Sequence, residues 1–598
     1  MKKSFLSLLI IPAMLLTGCS FFNRNGANSY KTYAKDISVY NIDKLDEQSN
    51  LSSGYQTTIK ARFIEDQDLV PYLTLKQYAS LYEYHYASDV YNKFSSSLFG
   101  EAWAVYKGES PIFMAQFSPM FDEVLYAGSL QAGFKDDDDP RDLKALNFGL
   151  EVDTNNKMIG DSTSYVEVDY GAYDLVSFDY KGESYYSLGF LDTTFLDSSL
   201  VYFTYNYKHI ISTIDVENYS TLKYIDEGNE YTFDSQMESV AKEMEAPSYL
   251  VNYNASLFIY LMDNFYGLKK YKDIYSFENY YRNKCPYNIY SALRNASNAE
   301  ARGCAYSDAL SILDDNHTLL VSANKSWGES AYGMMRRYGD GCNNRSRTKS
   351  TLRNLRDSAY GSKKIEEDII YSEDGKTALF SFDSFSFGTT AQVFNTDGSV
   401  NLEQAKNYDT YFKLIYMLQS LKAKGGVENV ILDISLNGGG TVGVMLKILA
   451  LISKDNSSNV TMYMDNCGQA EVYNPHVDIN DDKLYNTDDC FGDDFNFFIL
   501  TSDCSFSCGN AFPCAAQRQG SAKIIGQKSG GGECAVSVHY LPNSEYVYHS
   551  SNIHIGVLNE EQTEFIGFES GATPDIEIPI GSNFYSIEYL NSAIQNVR

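Results

Sequence analysis

The sequence predicts a chain of several domains, ending in an α/β core with a mostly parallel sheet. A small helical subdomain and a β-rich N-terminal region precede that core. Three observations carry this. Residues 36 to 240 contain alternating segments such as "SYVEVDYGAYDLVSFDYKG" and "SLVYFTYNYKHIIST", broken by Gly, Asp and Asn turns, which is the pattern of half-buried strands. Near residue 245 the period changes, and "YLVNYNASLFIYLMDNFYG" and "YSDALSILDDNHTLLVS" carry helical spacing. From about residue 366 strands and helices alternate, as in βα units whose parallel sheet is covered on its faces. At 598 residues the chain exceeds a single core, and roughly two to four domains are expected.

The first twenty residues, "MKKSFLSLLIIPAMLLTGCS", hold two lysines, an apolar run from Phe5 to Leu16, and then Leu16-Thr17-Gly18-Cys19. The run is too short to span a bilayer as a mature helix. A small-residue site ending on cysteine reads as a lipoprotein signal peptide, so Cys19 is the expected lipidation site. The mature chain is then expected at the cell membrane, lipid-anchored and facing outside the cytoplasm. Residues 20 to 35 are polar and read as a tether, and residues 36 to 240 as one or two β-rich domains with a helix near "LTLKQYASLYEYHYAS". The run Lys135-Asp136-Asp137-Asp138-Asp139-Pro140 lacks the alternating ligand spacing of a calcium loop and reads as a solvated turn. The helical subdomain covers 245 to 325, a polar stretch follows to about 366, and the core covers 366 to 598.

Within the core, "TALFSFDSF" reads as a strand and "LEQAKNYDTYFKLIYMLQSLKAKG" as an amphipathic helix. "VENVILDIS" is a buried strand leading into "LNGGG" and the helix "VGVMLKILALIS". The strand "FNFFILTS", a helix after Ser507 and the strand "SAKIIGQ" complete the pattern. In such sheets reactive groups gather beyond the carboxyl ends of the strands, where Gly438 to Gly440 and Ser507 fall.

With 78 acidic and 48 basic residues, net charge −30, the chain does not suit nucleic acid or anionic lipid headgroups, which need clustered cations. The same balance fits a solvated extracellular surface. Fifty tyrosines suit half-buried strands or polymer binding, and composition alone does not choose. Besides Cys19 there are nine cysteines, and no pair has C-x-x-C spacing. Cys504, Cys508 and Cys514 have no histidine at ligand spacing, so packing is expected of them. No metal and no cofactor are expected.

Serine is a weak nucleophile that needs a base, a group to orient the base, and donors for the developing oxyanion. At a strand-to-helix turn the N–H groups at the helix start are unpaired, so Cys508 N–H is one candidate donor. The glycine loop offers Gly438 and Gly439, where backbone can approach a ligand without Cβ atoms in the way. Taken one at a time, Ser507 also fits a helix N-cap and the glycines fit a tight turn.

Taken together, "VILDISLNGGG", "FFILTSDCSFSCGNAF", "AKIIGQKSGGG" and "GFESGATPDIEI" resemble, in order and spacing, the tail-specific or C-terminal processing family of serine peptidases. The resemblance covers about residues 245 to 598 and implies a ClpP/crotonase-like peptidase core acting on peptide or protein substrates. One branch of the family places a lysine base in the glycine run, where this chain has Gly532. Lys528, which precedes the run, is the alternative base. The tricorn-like branch uses an upstream histidine, which corresponds to His317 in "DDNHTLL". Its orienting carboxylate corresponds to Glu569, with Glu564 as reserve. The resemblance therefore implies a Ser507, His317, Glu569 triad, with Asp433 and Asn437 shaping the strand end and the glycine loop. A histidine base predicts activity rising between roughly pH 6 and 7.5.

Three features depart from the family pattern or narrow it. Asn316 precedes the histidine where some relatives have serine, and Pro513 threatens the helix after Ser507. About fifty residues separate "HTLL" from "TALFSFDSF", too few for a PDZ module. The alternatives are a catalytically inactive peptide-binding relative, a surface adhesin working through its Tyr-rich half, and an α/β-hydrolase using His539, His549 or His554. The last needs G-x-S-x-G, and Ser505 stands at its first position.

Overall fold

The computed structural model describes residues 30–42, 56–86, 90–97, 100–107, 110–118, 123–128, 144–159, 166–199, 201–213, 223–226, 229–232, 245–322, 340–360, 369–466, 468–542 and 545–595. The segment expected to be a signal peptide, with Cys19, most of the expected tether and the Asp136 to Asp139 run lie outside them.

The N-terminal region is built on a seven-stranded sheet ordered Ser177–Tyr180, Glu183–Ser187, Gln67–Leu73, Gln56–Ile64, Thr32–Asn41, Ile210–Thr213, Tyr202–Tyr205. Its strand Thr32–Asn41 begins inside the expected tether. A five-stranded antiparallel sheet runs Val90–Ser97, Gly100–Lys107, Ser110–Ser118, Glu123–Gly128, Val166–Asp169. The helix Leu75–Tyr86 buries Tyr78 and Tyr82 edge-on against Phe203, and Tyr78 packs against Trp103 in the same way. Trp103 Nε1 donates to Asn92 Oδ1 at 2.8 Å, satisfying the indole donor inside the core. Much of the tyrosine content is thus packing: Tyr72, Tyr78, Tyr82, Tyr260, Tyr281 and Tyr306 are among the largest fully buried side chains.

The helices Ser248–Phe265 and Ala299–Ser311 form where expected, the second capped by Asn298 accepting from Ala301 N–H at 2.8 Å. They do not make a separate core. Leu257, Phe258 and Leu261 share one apolar cluster with Leu191, Phe195 and Tyr78 of the N-terminal region. The boundary at 240 also gives way earlier in the chain. Leu150–Met158 leaves the N-terminal sheets and pairs antiparallel with Gln469–Val477 through nine residue pairs. Buried Lys447 clamps the approach to it, donating to the carbonyls of Ala145, Leu146 and Phe148. Alternation identifies a strand but not its partner, which is why this exchange is invisible in the sequence.

The core sheet is ordered Ile370–Tyr371, Thr377–Ser381, Asn429–Asp433, Asn496–Thr501, Ala522–Gly526, Ile576–Glu577. It is parallel from its second strand onward. Both faces are covered, which explains the uninterrupted apolar strands. Phe380, Leu432, Phe497 and Ile499 face the helices Thr410–Lys424, Val442–Leu451 and Cys508–Arg518. Leu379, Ile431, Phe498 and Leu500 face Leu352, Leu590 and Ile594. Leu352 belongs to a 21-residue helix, Asp340–Tyr360, in the stretch read as merely polar. It buries only Cys342, Leu352 and Arg356 along its length, too thin a stripe to announce a helix. Arg356 makes a two-pronged ion pair with Asp383 at 2.9 and 2.6 Å.

A second sheet runs Leu319–Ser322, Glu545–Leu558, Val460–Met464, Gln469–Val477, Leu150–Met158, with Cys534–Leu541 and Phe565–Gly567 also paired to the long strand. It carries the segment after His317 to the core. Among the described residues eight cysteines are free thiols, and no helix is long and apolar enough to cross a membrane.

Candidate active site

Ser507 stands between Asn496–Thr501 and the helix Cys508–Arg518 with φ 59° and ψ −127°. That region is costly for a residue with a Cβ and persists only where surroundings enforce it. Four hydrogen bonds enforce it. Ser507 N–H donates to Gly531 O at 3.0 Å, its carbonyl accepts from Asn510 and Ala511 N–H at 2.8 Å each, and Phe506 N–H donates to Asn437 O at 3.0 Å. Its side chain does not cap the helix and is partly exposed, so the N-cap alternative is excluded. The helix continues through Pro513, beyond its first turn, and forgoes the bond that a residue there would make to Gly509 O.

The glycine loop lies directly against this turn. A Cβ at Gly439, where φ is +111°, would sit 2.7 Å from Ser507 Cβ and 3.0 Å from Oγ; one at Gly509 would sit 2.4 Å from Asn437 O. Phe385 secures the loop from the other side, its N–H bonded to Gly439 O at 2.9 Å. Of the three expected oxyanion donors, Gly439 drops out, because its N–H is spent on Asn437 Oδ1 at 2.8 Å. The N–H groups of Gly438 and Cys508 have no hydrogen-bond partner among the described residues. Asp433 and Asn437 act as expected. Asp433 accepts from Ser381 and Ser435 hydroxyls at 2.7 and 2.6 Å, and Asn437 Nδ2 donates to Phe382 O at 3.1 Å.

His317 sits in the turn before Leu319–Ser322, its ring against that of Phe506 at 4.7 Å and 61°. It is buried, and its Nδ1 has no hydrogen-bond partner. Asp315 fixes the turn, accepting from His317 N–H at 3.0 Å, Thr318 Oγ1 at 2.6 Å and Tyr266 OH at 3.2 Å. Burial lowers the imidazole pKa below the ordinary 6.5; Asp315 opposes this and the Arg345 guanidinium adds to it. The imidazole is therefore neutral at neutral pH, and its burial shifts the expected acid limb toward lower pH.

Glu569 is held differently from the simple triad expectation. Its Oε2 accepts from Gly532 and Glu533 N–H at 2.9 and 3.0 Å, while its own N–H donates to Glu533 Oε2 at 2.6 Å. No hydrogen bond joins Glu569 to His317. Burial raises its pKa to about 6, with neighbouring Glu533 and Asp315 adding to the rise. Glu564 is exposed in a turn, its N–H bonded to Asn559, which removes it as a reserve. Lys528 is exposed and makes no contact with Ser507 among the described residues. The lysine position of the other branch is closed for a steric reason, since a Cβ on Gly532 would meet Phe506 Cζ at 2.5 Å.

Several residues of the site gave no sequence signal. Asp315 and Arg345 act on His317, and a buried group sits behind Glu569: Glu533 Oε1 meets His554 Nδ1 at 2.7 Å and Tyr271 OH at 3.2 Å. His554 is thus paired in the interior, and its pKa is raised by Asp465, Cys534 and Glu533 against its burial. His539 and His549 bond each other at 3.0 Å. These pairings leave the α/β-hydrolase alternative without its histidine. Cys504, Cys508 and Cys514 are buried, as expected of packing residues.

Residues 397–578 match the model of Peptidase family S41. A candidate peptidase of Parabacteroides merdae ATCC 43184 is similar at 17% identity and TM-score 0.36, over 54% of this chain and 94% of that one. Mature CPAF, solved with lactacystin, is similar at 12% identity and TM-score 0.35, over 58% and 97%. The photosystem II D1 C-terminal processing protease is similar at 14% identity and TM-score 0.24, over 37% of this chain and 46% of that one, less than half its length. No curated protein matches the chain. The matched stretch, 397–578, carries Ser507, both glycine loops and Glu569, whereas His317 lies ahead of it.

Proposed function

We propose that the protein is a membrane-anchored, extracytoplasmic serine endopeptidase in which Ser507 is the nucleophile, His317 the base and Glu569 the acidic group that organises the site. The observation that carries this is Ser507 itself. A non-glycine residue at φ 59°, with a hydroxyl that caps nothing, beside two unpaired N–H groups, has backbone strain that packing alone does not require. In the reaction Ser507 Oγ attacks the substrate carbonyl carbon and its proton passes to the neutral imidazole. The oxyanion forms beside Gly438 and Cys508 N–H, and the imidazolium returns the proton to the leaving amine as the C–N bond breaks. Water then attacks the acyl-enzyme by the same route. Anchoring through Cys19 rests on the N-terminal sequence "LTGC".

A second reading, a peptide-binding relative without catalysis, is favoured by one observation: His317 Nδ1 has no partner while Glu569 bonds backbone N–H groups instead. A fluorophosphonate probe separates the two. Labelling lost in Ser507→Ala, together with peptide-library cleavage lost in the same variant, is the result expected of the peptidase. An unlabelled wild-type protein overturns it.

A further inference from the structure

The basic helix Asp340–Tyr360 reaches three separate parts of the site from its first turns. Asp314, three residues before His317, accepts from Gly341 and Cys342 N–H at 2.7 and 2.8 Å. Arg345 Nε donates to Asp503 O at 2.8 Å and its Nη2 to Gly530 O at 2.9 Å. Asp503 lies on the turn leading to Ser507; Gly530 precedes Gly531, whose carbonyl holds Ser507 N–H. The guanidinium also lies over the Phe506 ring, 4.7 Å from its centroid, on the ring that His317 packs against.

We infer that Arg345 is a positioning residue of the proposed peptidase: it locks the Ser507 turn to the glycine run and, through Phe506, sets the place of His317. The inference rests on the reading of Ser507 and His317 given above. Arginine suits the task because its planar fork reaches two carbonyls at once while stacking on an aromatic face; lysine offers the charge without the fork. The charged groups acting on the imidazole are Asp315, on its own turn, and Arg345, on the helix. Phe506 is neutral, and Asp315 also raises the pKa of Glu569. Removing the guanidinium leaves burial alone to oppose Asp315, so a proton is drawn onto His317 at higher pH than in wild type.

The rate of Ser507 labelling by a fluorophosphonate, measured against pH, tests this without knowledge of the substrate. Arg345→Ala is expected to label roughly ten- to a hundredfold more slowly, with its midpoint moved to higher pH and partial recovery on adding guanidinium. Arg345→Lys is expected to label slowly too, but with the wild-type midpoint, because the charge remains. Equal slowing in both variants with neither midpoint moved and no guanidinium rescue overturns the proposal, as does a wild-type rate in Arg345→Ala. An unlabelled wild-type protein fails for a different reason, sinking the nucleophile assignment and this inference with it.

Discussion

The two sides of the candidate site are built by different means. On the nucleophile side, Ser507 and the Gly438 to Gly440 loop follow adjacent parallel strands, Asn496–Thr501 and Asn429–Asp433, so register alone places them together. On the base side, His317 arrives from a turn ahead of Leu319–Ser322 in the second sheet, held by pairing with residues 545–548 more than 200 positions later. Arg345 comes from a third direction, on a helix that shares its apolar contacts with the opposite face of the core sheet. One side is made by local sequence and sheet geometry; the other depends on the assembly of the whole molecule.

That difference predicts unequal tolerance to change. Ser507→Ala should abolish peptide hydrolysis while leaving the melting temperature close to wild type, since a partly exposed hydroxyl contributes little stability. Relief of the φ 59° strain is not expected, because alanine also carries a Cβ. Full turnover in this variant, measured on any peptide the wild type cleaves, would end the peptidase reading.

His317→Ala should come next, losing several orders of magnitude in kcat/KM, yet its structural consequences should spread further than those of Ser507→Ala. The ring is buried against Phe506, so its loss leaves a gap beside the ring that the Arg345 guanidinium also covers. Wild-type hydrolysis in this variant would show that the base is elsewhere and that the packing on Phe506 is structural only.

The same asymmetry explains what could be read from the chain before its fold was known. The glycine loop and Ser507 announce themselves because a turn that must admit another backbone excludes Cβ atoms, and 2.7 Å between a Gly439 Cβ and Ser507 Cβ states why. The buried strands were legible from their length and apolarity. The helix Asp340–Tyr360 was not, since so few of its side chains are buried, and Arg345 on it looks like any surface cation until Asp503 and Gly530 are brought beside it. The strand Leu150–Met158 was legible as a strand but not as part of the core, because nothing in alternation names a partner. Glu569 was legible only through resemblance, and its bonds to Gly532 and Glu533 were not.

Gly439→Ala should give a smaller effect than either side-chain loss, and it probes the nucleophile side without removing a reacting group. The new methyl meets Ser507 and also forces an L residue to φ +111°. A loss of about 1–3 kcal/mol in stability and roughly a hundredfold in kcat/KM are expected, read by denaturant unfolding and peptide turnover. Wild-type values for both would mean that the loop yields freely, and that the close approach is not what sets the Ser507 geometry.

The smallest effect, and the one that most sharpens the comparison, is expected of Glu569→Gln. The carboxyl has a pKa near 6 in the fold against an ordinary 4.5, so between those values the folded chain holds a proton that the unfolded chain has released. Stability from that protonated form is complete below pH 4.5 and is lost as pH rises through about 6. Glutamine keeps an oxygen for the N–H groups of Gly532 and Glu533 and does not titrate. The variant should therefore gain melting temperature relative to wild type at pH 7.5 and gain little at pH 4.5. Its kcat/KM should fall if Glu569 takes the proposed role, because that role has the carboxylate favour the imidazolium formed as Ser507 attacks. In wild type the acid limb should include two protonations, one on His317 below 6.5 and one on Glu569 near 6; in the variant only the first should remain, giving a shallower rise. A variant with the stability gain but an unchanged pH profile would place Glu569 with the backbone it holds, as a structural buttress of the glycine run, and would leave Asp315 as the carboxylate that acts on the base.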